Sequence, residues 1–268
     1  MKQNIARILR DLQLLSVAEK IQYLLVAAKH RRTNRLFSLA NAGFKVPPQV
    51  LAFDAYSAPH WDSYKESGGQ TAALLLQIAR RYFAEGSPLR VLDWGCGPAR
   101  VIRHLPAAFG PQASIYGSDY NPATIKWCIE NIHGVSFSVN DLLPPLPFAA
   151  DFIDFVYSLS VFTHLSESVS HRWIDELRRI THTGSILVIT TQGDSFLDKL
   201  LPDEVEAYRS KGLVVRGKVS EGKRIFSAFH SPRYLTTTLF RNLEVLELIP
   251  GTSSSQDMWI LRKPPEAS

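Results

Sequence analysis

Apolar residues recur at helical spacing through the first part of the chain. Two groups share this three-to-four residue period: Ile5, Ile8, Leu9, Leu12 and Leu15, and then Ile21, Leu24, Leu25 and Ala28. Pro47 and Pro48 interrupt regular structure after them. The pattern predicts two N-terminal helices that end near Gly43.

After Pro88 the pattern changes to short apolar segments that alternate with amphipathic ones. Strands are predicted at 89–93, 113–118, 135–139, 152–158, 185–191, 243–249 and 256–262, with helices near 99–109, 121–131 and 167–180. Asn121 followed by Pro122 marks one helix start, because asparagine caps a helix and proline suits its first turn. Such alternation predicts an α/β protein with a mostly parallel sheet and helices on both faces.

The net charge of +5 is concentrated at the start of the chain. Residues 1–45 contain nine Lys and Arg residues against Asp11 and Glu19. This basic segment suits an acidic partner, a nucleic acid or an anionic membrane surface. A solvated helix face and an oligomer formed through the N-terminal helices are open alternatives.

The two cysteines, Cys96 and Cys128, provide neither a disulfide framework nor metal-ligand spacing. A reducing cytoplasm is therefore the expected location. No apolar run approaches the roughly 20 residues that span a bilayer, so no transmembrane segment is predicted. No signal peptide is predicted either.

A glycine-rich turn follows the first predicted strand, in the segment Val91–Arg100. Gly95 and Gly97 allow a sharp turn and a close approach to a ligand. A dinucleotide-binding turn would need a third glycine where Arg100 stands, and Asp93 would repel a pyrophosphate. A sulfonium ligand with an amino-acid tail fits better, because the Asp93 carboxylate can accept hydrogen bonds from the ammonium group of that tail. The turn favours S-adenosylmethionine over a purely structural role.

This segment resembles the first motif of the class I S-adenosylmethionine-dependent methyltransferases, with Ala99 where that family usually has glycine. The resemblance covers roughly residues 60–262 and implies a Rossmann-like seven-stranded, mostly parallel sheet plus an N-terminal helical extension. It implies that residues 1–60 form the extension and a lid. Residues 61–268 would form the methyltransferase core, with an insertion at about 193–240.

The resemblance also implies which residues contact the cofactor. Asp119 matches the acidic residue that binds both ribose hydroxyls, and Tyr120 would stack near the adenine. The full predicted set is Tyr64, Gly69, Asp93, Gly95, Cys96, Gly97, Asp119, Tyr120, Asn140, Asp141, Leu142 and Ser158. Purely structural roles are the alternatives to these cofactor contacts. Asp119 suits a helix or turn cap, and Asn140 with Asp141 suits a turn. The aromatic residues of 54–69 suit a packed core.

His164 follows the fourth predicted strand, where the resemblance places the entrance for the acceptor. Its unperturbed pKa near 6.5 suits a general base at neutral pH. A purely structural hydrogen bond from this histidine to the backbone is the alternative.

The acceptor is predicted by exclusion and by one further resemblance. Tyr157–Ser160 lacks the tetrapeptide of nucleobase amine methyltransferases, neither cysteine is placed for cytosine chemistry, and no carboxylate cluster suggests a metal site. The last strand, Gln256–Arg262, resembles a bacterial subgroup associated with glycans and small molecules.

We therefore expect O-methylation of a small molecule or sugar, with nucleic acid an unlikely acceptor. The basic insertion suits an anionic acceptor through Arg209, Lys211, Arg216, Lys218, Lys223 and Arg224. A solvated loop accounts for these basic residues equally well. The alternatives are methylation of a protein or RNA docked by the basic N-terminal helices, and a non-catalytic cofactor-binding scaffold.

Overall fold

A computed structural model describes residues 14–252 and 255–265, together with Arg7 and Arg10. The chain divides into two compact units. The N-terminal unit is Ser16–Asn140, and the C-terminal unit contains Asp141–Ser268 with the described residues at the start of the chain. Within the latter, Arg7 Nη1 donates to Asp203 Oδ2 over 2.9 Å.

The N-terminal unit begins with three helices and continues with three parallel strands. The helices are α1 (Leu15–Ala40), α2 (Gln49–Tyr56) and α3 (Trp61–Arg80). There follow β1 (Arg90–Trp94), a 3₁₀ turn (Ile102–His104), α4 (Leu105–Phe109), β2 (Ser114–Asp119), α5 (Pro122–Asn131) and β3 (Ser136–Val139). In register, Trp94 lies beside Ser118 and Asp119 beside Val139, so the carboxyl ends of these strands share one edge.

The C-terminal unit contains the remaining strands. Its elements are β4 (Ile153–Ser158), a 3₁₀ turn (Phe162–His164), α6 (Glu167–Ile180), β5 (Thr181–Thr191), a 3₁₀ turn (Asp194–Lys199), α7 (Pro202–Lys211), β6 (Leu213–Arg216), β7 (Ser227–His230), a short helical stretch (Pro232–Tyr234, then Leu235–Leu239), β8 (Glu244–Ile249) and β9 (Asp257–Arg262). Strands β4 and β5 are parallel, whereas β9 is antiparallel to both β5 and β8.

Seven strands form the main sheet in the order β3-β2-β1-β4-β5-β9-β8. The predicted Rossmann-like, mostly parallel fold is therefore confirmed, and each predicted strand is present to within a few residues. Within the described residues, none of the helices combines the length and the apolar character that crossing a membrane requires.

Three details differ from the sequence prediction or extend it. The helical spacing of Leu75, Leu76, Ala79 and Phe83 predicts a helix that follows residue 69. This helix, α3, already begins at Trp61, because the His60 side chain caps it by accepting from Ser63 N. Strands β6 and β7 form a separate two-stranded sheet within the proposed insertion, where no strand was predicted. Of the two predicted N-terminal helices, the second lies within α1. The first lies outside the described residues except at Arg7, Arg10 and its end at residues 14 and 15, where α1 begins. The division into an extension, a core and an insertion stays a prediction.

Helix α1 is joined to the start of α3 by one buried side chain. Asn34 Nδ2 donates to Pro59 O over 2.6 Å, and Asn34 Oδ1 accepts from Trp61 N over 3.1 Å. Phe37 on α1 packs in the same apolar cluster as Trp61 and Tyr64 on α3. This packing fixes the position of α3, which carries residues that contact the glycine-rich turn.

His230, at the end of β7, is a fully buried histidine whose Nδ1 has no hydrogen-bond partner among the described residues. Burial lowers its pKa to about 4, because the charged imidazolium is disfavoured away from water. Below pH 6.5 the unfolded chain binds a proton at this residue that the folded chain does not bind. Folding stability is therefore lost as the pH falls from 6.5 toward 4.

Between pH 6.5 and pH 4 we expect His230 alone to lower the free energy of unfolding by about 3 kcal/mol, at roughly 1.4 kcal/mol per pH unit. Urea unfolding of the wild type and of His230→Gln at pH 7 and pH 4.5 measures this contribution. His104 and His164 also have lowered pKa values, so the variant should lose only part of the pH dependence. A variant with the full wild-type loss would contradict the assignment, and the exposed His133→Gln serves as the control.

Candidate functional site

The glycine-rich turn after β1 is bonded to the end of β2. Gly95 N and Cys96 N both donate to Ser118 O, over 2.7 and 3.0 Å. Gly95 has φ 83° and Gly97 has φ 50°, in the left-handed region that glycine adopts without steric cost. The two glycines are therefore required by the backbone path, as the sequence predicted.

Ala99 also lies in the left-handed region, with φ 58°, and is fully buried. This is the position at which the chain departs from the usual glycine of the family it resembles. Its cost lies in the backbone, because the left-handed conformation costs a residue with a Cβ roughly 1–2 kcal/mol. The turn retains its form at this cost because the bonds to Ser118 O hold it.

Asp119, at the end of β2, joins the turn to the next helix. Its Oδ2 accepts from Gly97 N and its Oδ1 accepts from Asn121 N, both over 2.9 Å. Burial raises the pKa of this carboxyl, and the two backbone N–H groups oppose that rise. Each oxygen retains a lone pair for a further donor, so this capping role is compatible with binding a diol.

The other predicted residues of this unit lie at the same edge of the sheet. Asn140 N donates to Asp119 O over 3.1 Å, and Asn140 Oδ1 accepts from Ser118 Oγ. Asp93 is buried at the end of β1. Tyr120 is 36% exposed, and its pKa is raised to about 12 by burial and by the charges of Asp119 and Asp54.

Two tyrosines contact the glycine-rich turn through their hydroxyl groups. Tyr64 Oη donates to Pro98 O over 2.6 Å, and Tyr56 Oη accepts from Arg100 N over 3.3 Å. The Arg100 guanidinium lies 5.0 Å from the centre of the Tyr56 ring. Tyr64 therefore positions the turn, and its predicted contact with the methionine carboxylate stays a prediction. The contact between Tyr56 and Arg100 was missed, because the two residues lie 44 positions apart in the sequence.

A glycine adjacent to the predicted Gly69 makes the closest approach to the turn. A Cβ on Gly68 would lie 2.0 Å from Arg100 O, whereas one on Gly69 would lie 4.0 Å from the His104 ring. The packing of α3 against the turn therefore depends on Gly68. Because both glycines lie on α3, sequence spacing alone does not tell them apart.

The two cysteines lie buried within the turn and α5. Cys128 Sγ donates to Gly97 O over 3.5 Å. Burial and a hydrogen bond with Cys128 raise the pKa of the Cys96 thiol, so it stays neutral at physiological pH. Cys96 thus contributes its backbone to the turn, while its side chain packs behind it.

The C-terminal unit holds the remaining predicted cofactor residues. Ser158 ends β4, is fully buried, and its Oγ has no hydrogen-bond partner among the described residues. Leu142 O accepts from Trp173 Nε1 over 2.9 Å, which fixes the segment after Asp141 to α6. Asp141 itself is exposed.

His164 has a defined tautomer. Its Nδ1 lies 2.7 Å from Phe226 O, and because a carbonyl oxygen only accepts, Nδ1 carries the proton. Burial lowers the pKa of His164, the bond to Phe226 opposes this, and the charge of Arg224 adds to the lowering. The neutral imidazole therefore presents a lone pair at Nε2. The structural bond to the backbone and a basic Nε2 coexist in one residue.

A polar network joins the ends of β4, β5 and the start of β9. Ser160 N donates to Thr190 Oγ1 over 2.8 Å, and Thr190 Oγ1 donates to Gln256 Oε1 over 2.6 Å. Gln256 Nε2 donates back to Ser160 Oγ over 2.7 Å, and Thr163 Oγ1 lies 3.1 Å from that oxygen. In the sequence, Gln256 stood out only because the last strand resembles that of a bacterial subgroup. The hydrogen-bond network around it was not predicted.

The described residues include no group of three or more His, Cys, Asp or Glu side chains that could hold a metal ion.

Comparison with known proteins identifies the domain. Residues 91–184 match the model of a family described as a methyltransferase domain. The chain contains a methyltransferase domain. This match confirms the prediction of an S-adenosylmethionine-dependent methyltransferase.

Solved structures show the same fold at low sequence identity. An S-adenosylmethionine-dependent methyltransferase from Methanosarcina mazei is 18% identical with TM-score 0.55, covering 70% of this chain and 98% of its own. A chain of the complex between the Haloferax volcanii Trm112 methyltransferase activator and the putative methyltransferase is 15% identical with TM-score 0.53, covering 78% and 96%. Magnesium protoporphyrin IX methyltransferase from Synechocystis, solved with bound S-adenosylhomocysteine (SAH), is 14% identical with TM-score 0.52, covering 75% and 86%.

The two neighbouring glycines of α3 provide a matched test of the packing at the turn. Gly68→Ala should lower the free energy of unfolding by about 1–3 kcal/mol or more, because its methyl group would overlap Arg100 O. Gly69→Ala should leave stability unchanged or raise it by up to about 1 kcal/mol, since alanine favours helix. Urea unfolding of both variants measures the difference, and equal effects would contradict this account of α3.

Proposed function

We propose that this methyltransferase domain methylates a hydroxyl group of a small molecule or sugar, with His164 as general base. The observation that carries the proposal is the hydrogen bond between His164 Nδ1 and Phe226 O, over 2.7 Å. Because the carbonyl oxygen accepts this bond, the Nε2 lone pair of the neutral imidazole is left to take a proton. Burial lowers the pKa of His164, which favours this neutral form. A hydroxyl acceptor must lose its proton during methyl transfer, so it needs such a base.

S-adenosylmethionine supplies an activated methyl group, and the chain has to bind it and align an acceptor. We assign Asp119 to the ribose hydroxyls, Tyr120 to the adenine face, and Asn140, Asp141 and Leu142 to the adenine edge. Asp93 would accept hydrogen bonds from the ammonium group of the methionine part of the cofactor. Tyr64 and Gly69 would lie near the carboxylate of that part. Support comes from the left-handed glycines beside Asp119 and from the buried, unpartnered Ser158 Oγ within the described residues.

The network of Ser160, Thr163, Thr190 and Gln256 is the proposed subsite for the acceptor hydroxyl groups. Hydroxyl and carboxamide groups both donate and accept, so they suit a polyhydroxylated molecule. Gln256 lies at the last strand, whose resemblance to the bacterial glycan-associated subgroup supports the same acceptor class.

Basic residues near His164 favour an anionic acceptor. Gly222 N donates to His164 O over 2.9 Å, so the segment with Lys218, Lys223 and Arg224 adjoins the histidine. Arg216, which belongs to the same basic set, forms an ion pair with Glu204 over 2.6 Å. We therefore remove Arg216 from the proposed acceptor-binding residues.

We place the reaction in the cytoplasm. Both cysteines are free thiols in the described part of the chain, which suits a reducing compartment.

Replacing one oxygen of Asp119 tests the cofactor assignment. Asp119→Asn should lower affinity for SAH by roughly 10- to 100-fold, because it removes charge-assisted hydrogen bonds to the ribose. Isothermal titration measures the affinity, and thermal unfolding reports the lost backbone bond separately. The surface variant Asp62→Asn is the control, and affinity near that of the wild type would overturn the ribose assignment.

Replacing His164 tests the general base. His164→Gln should lower turnover by about 10²- to 10⁴-fold while SAH affinity stays unchanged. Since its pKa is lowered, the acidic limb of the wild-type rate profile should lie below pH 6.5. His171→Gln, in the same unit, should behave as wild type. Turnover that survives in His164→Gln would give the histidine a structural role.

The acceptor class is tested with radiolabelled S-adenosylmethionine and a panel of neutral sugars, anionic sugars, phenols, amines, proteins and RNA. Transfer to hydroxyl groups, strongest for anionic sugars, is expected. Transfer to protein or RNA alone would overturn the proposal.

A further inference from the structure

Helix α1 packs against the rest of the N-terminal unit through one face only. Asn34 and Phe37 are buried, and the Tyr23 ring lies 5.4 Å from the Phe53 ring on α2. At 100° per residue, these three side chains project within about 60° of one another. The opposite face of α1 should carry polar residues if water is its only neighbour.

That opposite face is instead apolar. Its large side chains are Val17, Ile21, Leu24, Leu25, Leu36 and Leu39, all exposed. Leu39, Leu25 and Leu24, at 72%, 66% and 65% exposure, are the most exposed large apolar residues of the described chain. Isolated exposed leucines are ordinary, but a continuous exposed stripe marks an interaction surface.

Positive charges accompany this stripe. The exposed basic residues of α1 are Lys20, Lys29, Arg31, Arg32 and Arg35. By helical geometry, Lys20 and Lys29 project on its two sides, while Arg32 and Arg35 continue its line. Glu19 is the one acidic residue of the helix, and at 100° per residue it projects on the same side as the buried Phe37. The charged residues of the outer face of α1 are therefore all basic.

The charges select the partner. Two copies of α1 packed in parallel would oppose arginine to arginine, and packed antiparallel they would cover leucines with arginines. An anionic lipid surface suits both features, because the leucines enter the acyl boundary while lysine and arginine reach the head groups. We propose that the outer face of α1 docks the protein on an anionic bilayer, with the helix lying in the plane of the interface.

Vesicle co-sedimentation tests this inference with the full chain. Binding to phosphatidylcholine vesicles that contain phosphatidylglycerol is expected, with weak binding to pure phosphatidylcholine. Binding should fall steeply between 50 and 500 mM salt, as expected for charges at an anionic surface. No binding to anionic vesicles at low salt, or equal binding to both lipids at every salt concentration, would overturn the proposal.

Two variants separate the apolar and the charged contributions. Leu24→Gln with Leu25→Gln should lower the partition coefficient by at least ~10-fold, because two large apolar side chains no longer enter the lipid. Arg32→Glu with Arg35→Glu should lower it similarly, at roughly fivefold or more per residue. Ile129→Gln, at an apolar site on α5 that is 59% exposed, is the control and should bind as wild type.

Sedimentation velocity and SAH titration complete the experiment. The wild type should be monomeric without lipid, and all variants should bind SAH with wild-type affinity. A concentration-dependent dimer that Leu24→Gln with Leu25→Gln abolishes would overturn the proposal and assign the face to self-association. Because SAH binding does not require this surface, a failure here is distinguishable from a failure of the proposed function.

Discussion

The glycine-rich turn depends on the hydrogen bonds that the Asp119 carboxylate accepts. Its two oxygens accept from Gly97 N and Asn121 N, so one side chain fixes both the turn after β1 and the start of α5. Burial makes this charge costly, and the backbone N–H groups offset part of the cost. The same geometry places a polarised carboxylate at the sheet edge where parallel strands end, which is where a ligand binds in such a fold.

Local patterns were sufficient to predict the seven strands of the main sheet, but not β6, β7 or every helix boundary. Buried parallel strands are continuous apolar segments, so β1, β4 and β5 were visible in the sequence. The early start of α3 depends on the His60 cap and on Asn34, a residue from another helix. Strands β6 and β7 are four residues each, and their pairing is set by contacts with the rest of their unit, which periodicity does not encode.

The candidate site shows the same division. Asp119, Gly95 and Gly97 follow from the chemistry of a turn after a strand, and their geometry was predictable. Tyr56 and Gly68 act through contacts distant in sequence, with Arg100 as the shared neighbour. The network around Gln256 joins residues 96 positions apart, and only the fold brings them together.

The bond between His164 and Phe226 gives the segment before β7 a double role. The residues that border the proposed acceptor entrance also determine which ring nitrogen carries the proton. Replacing the segment before β7 with that of a relative would therefore change two properties together: the substrate preference and the ability of His164 to act as a base. A chimaera that preserves the Phe226 carbonyl while exchanging Lys218 and Lys223 is the route by which selectivity alone can be redesigned.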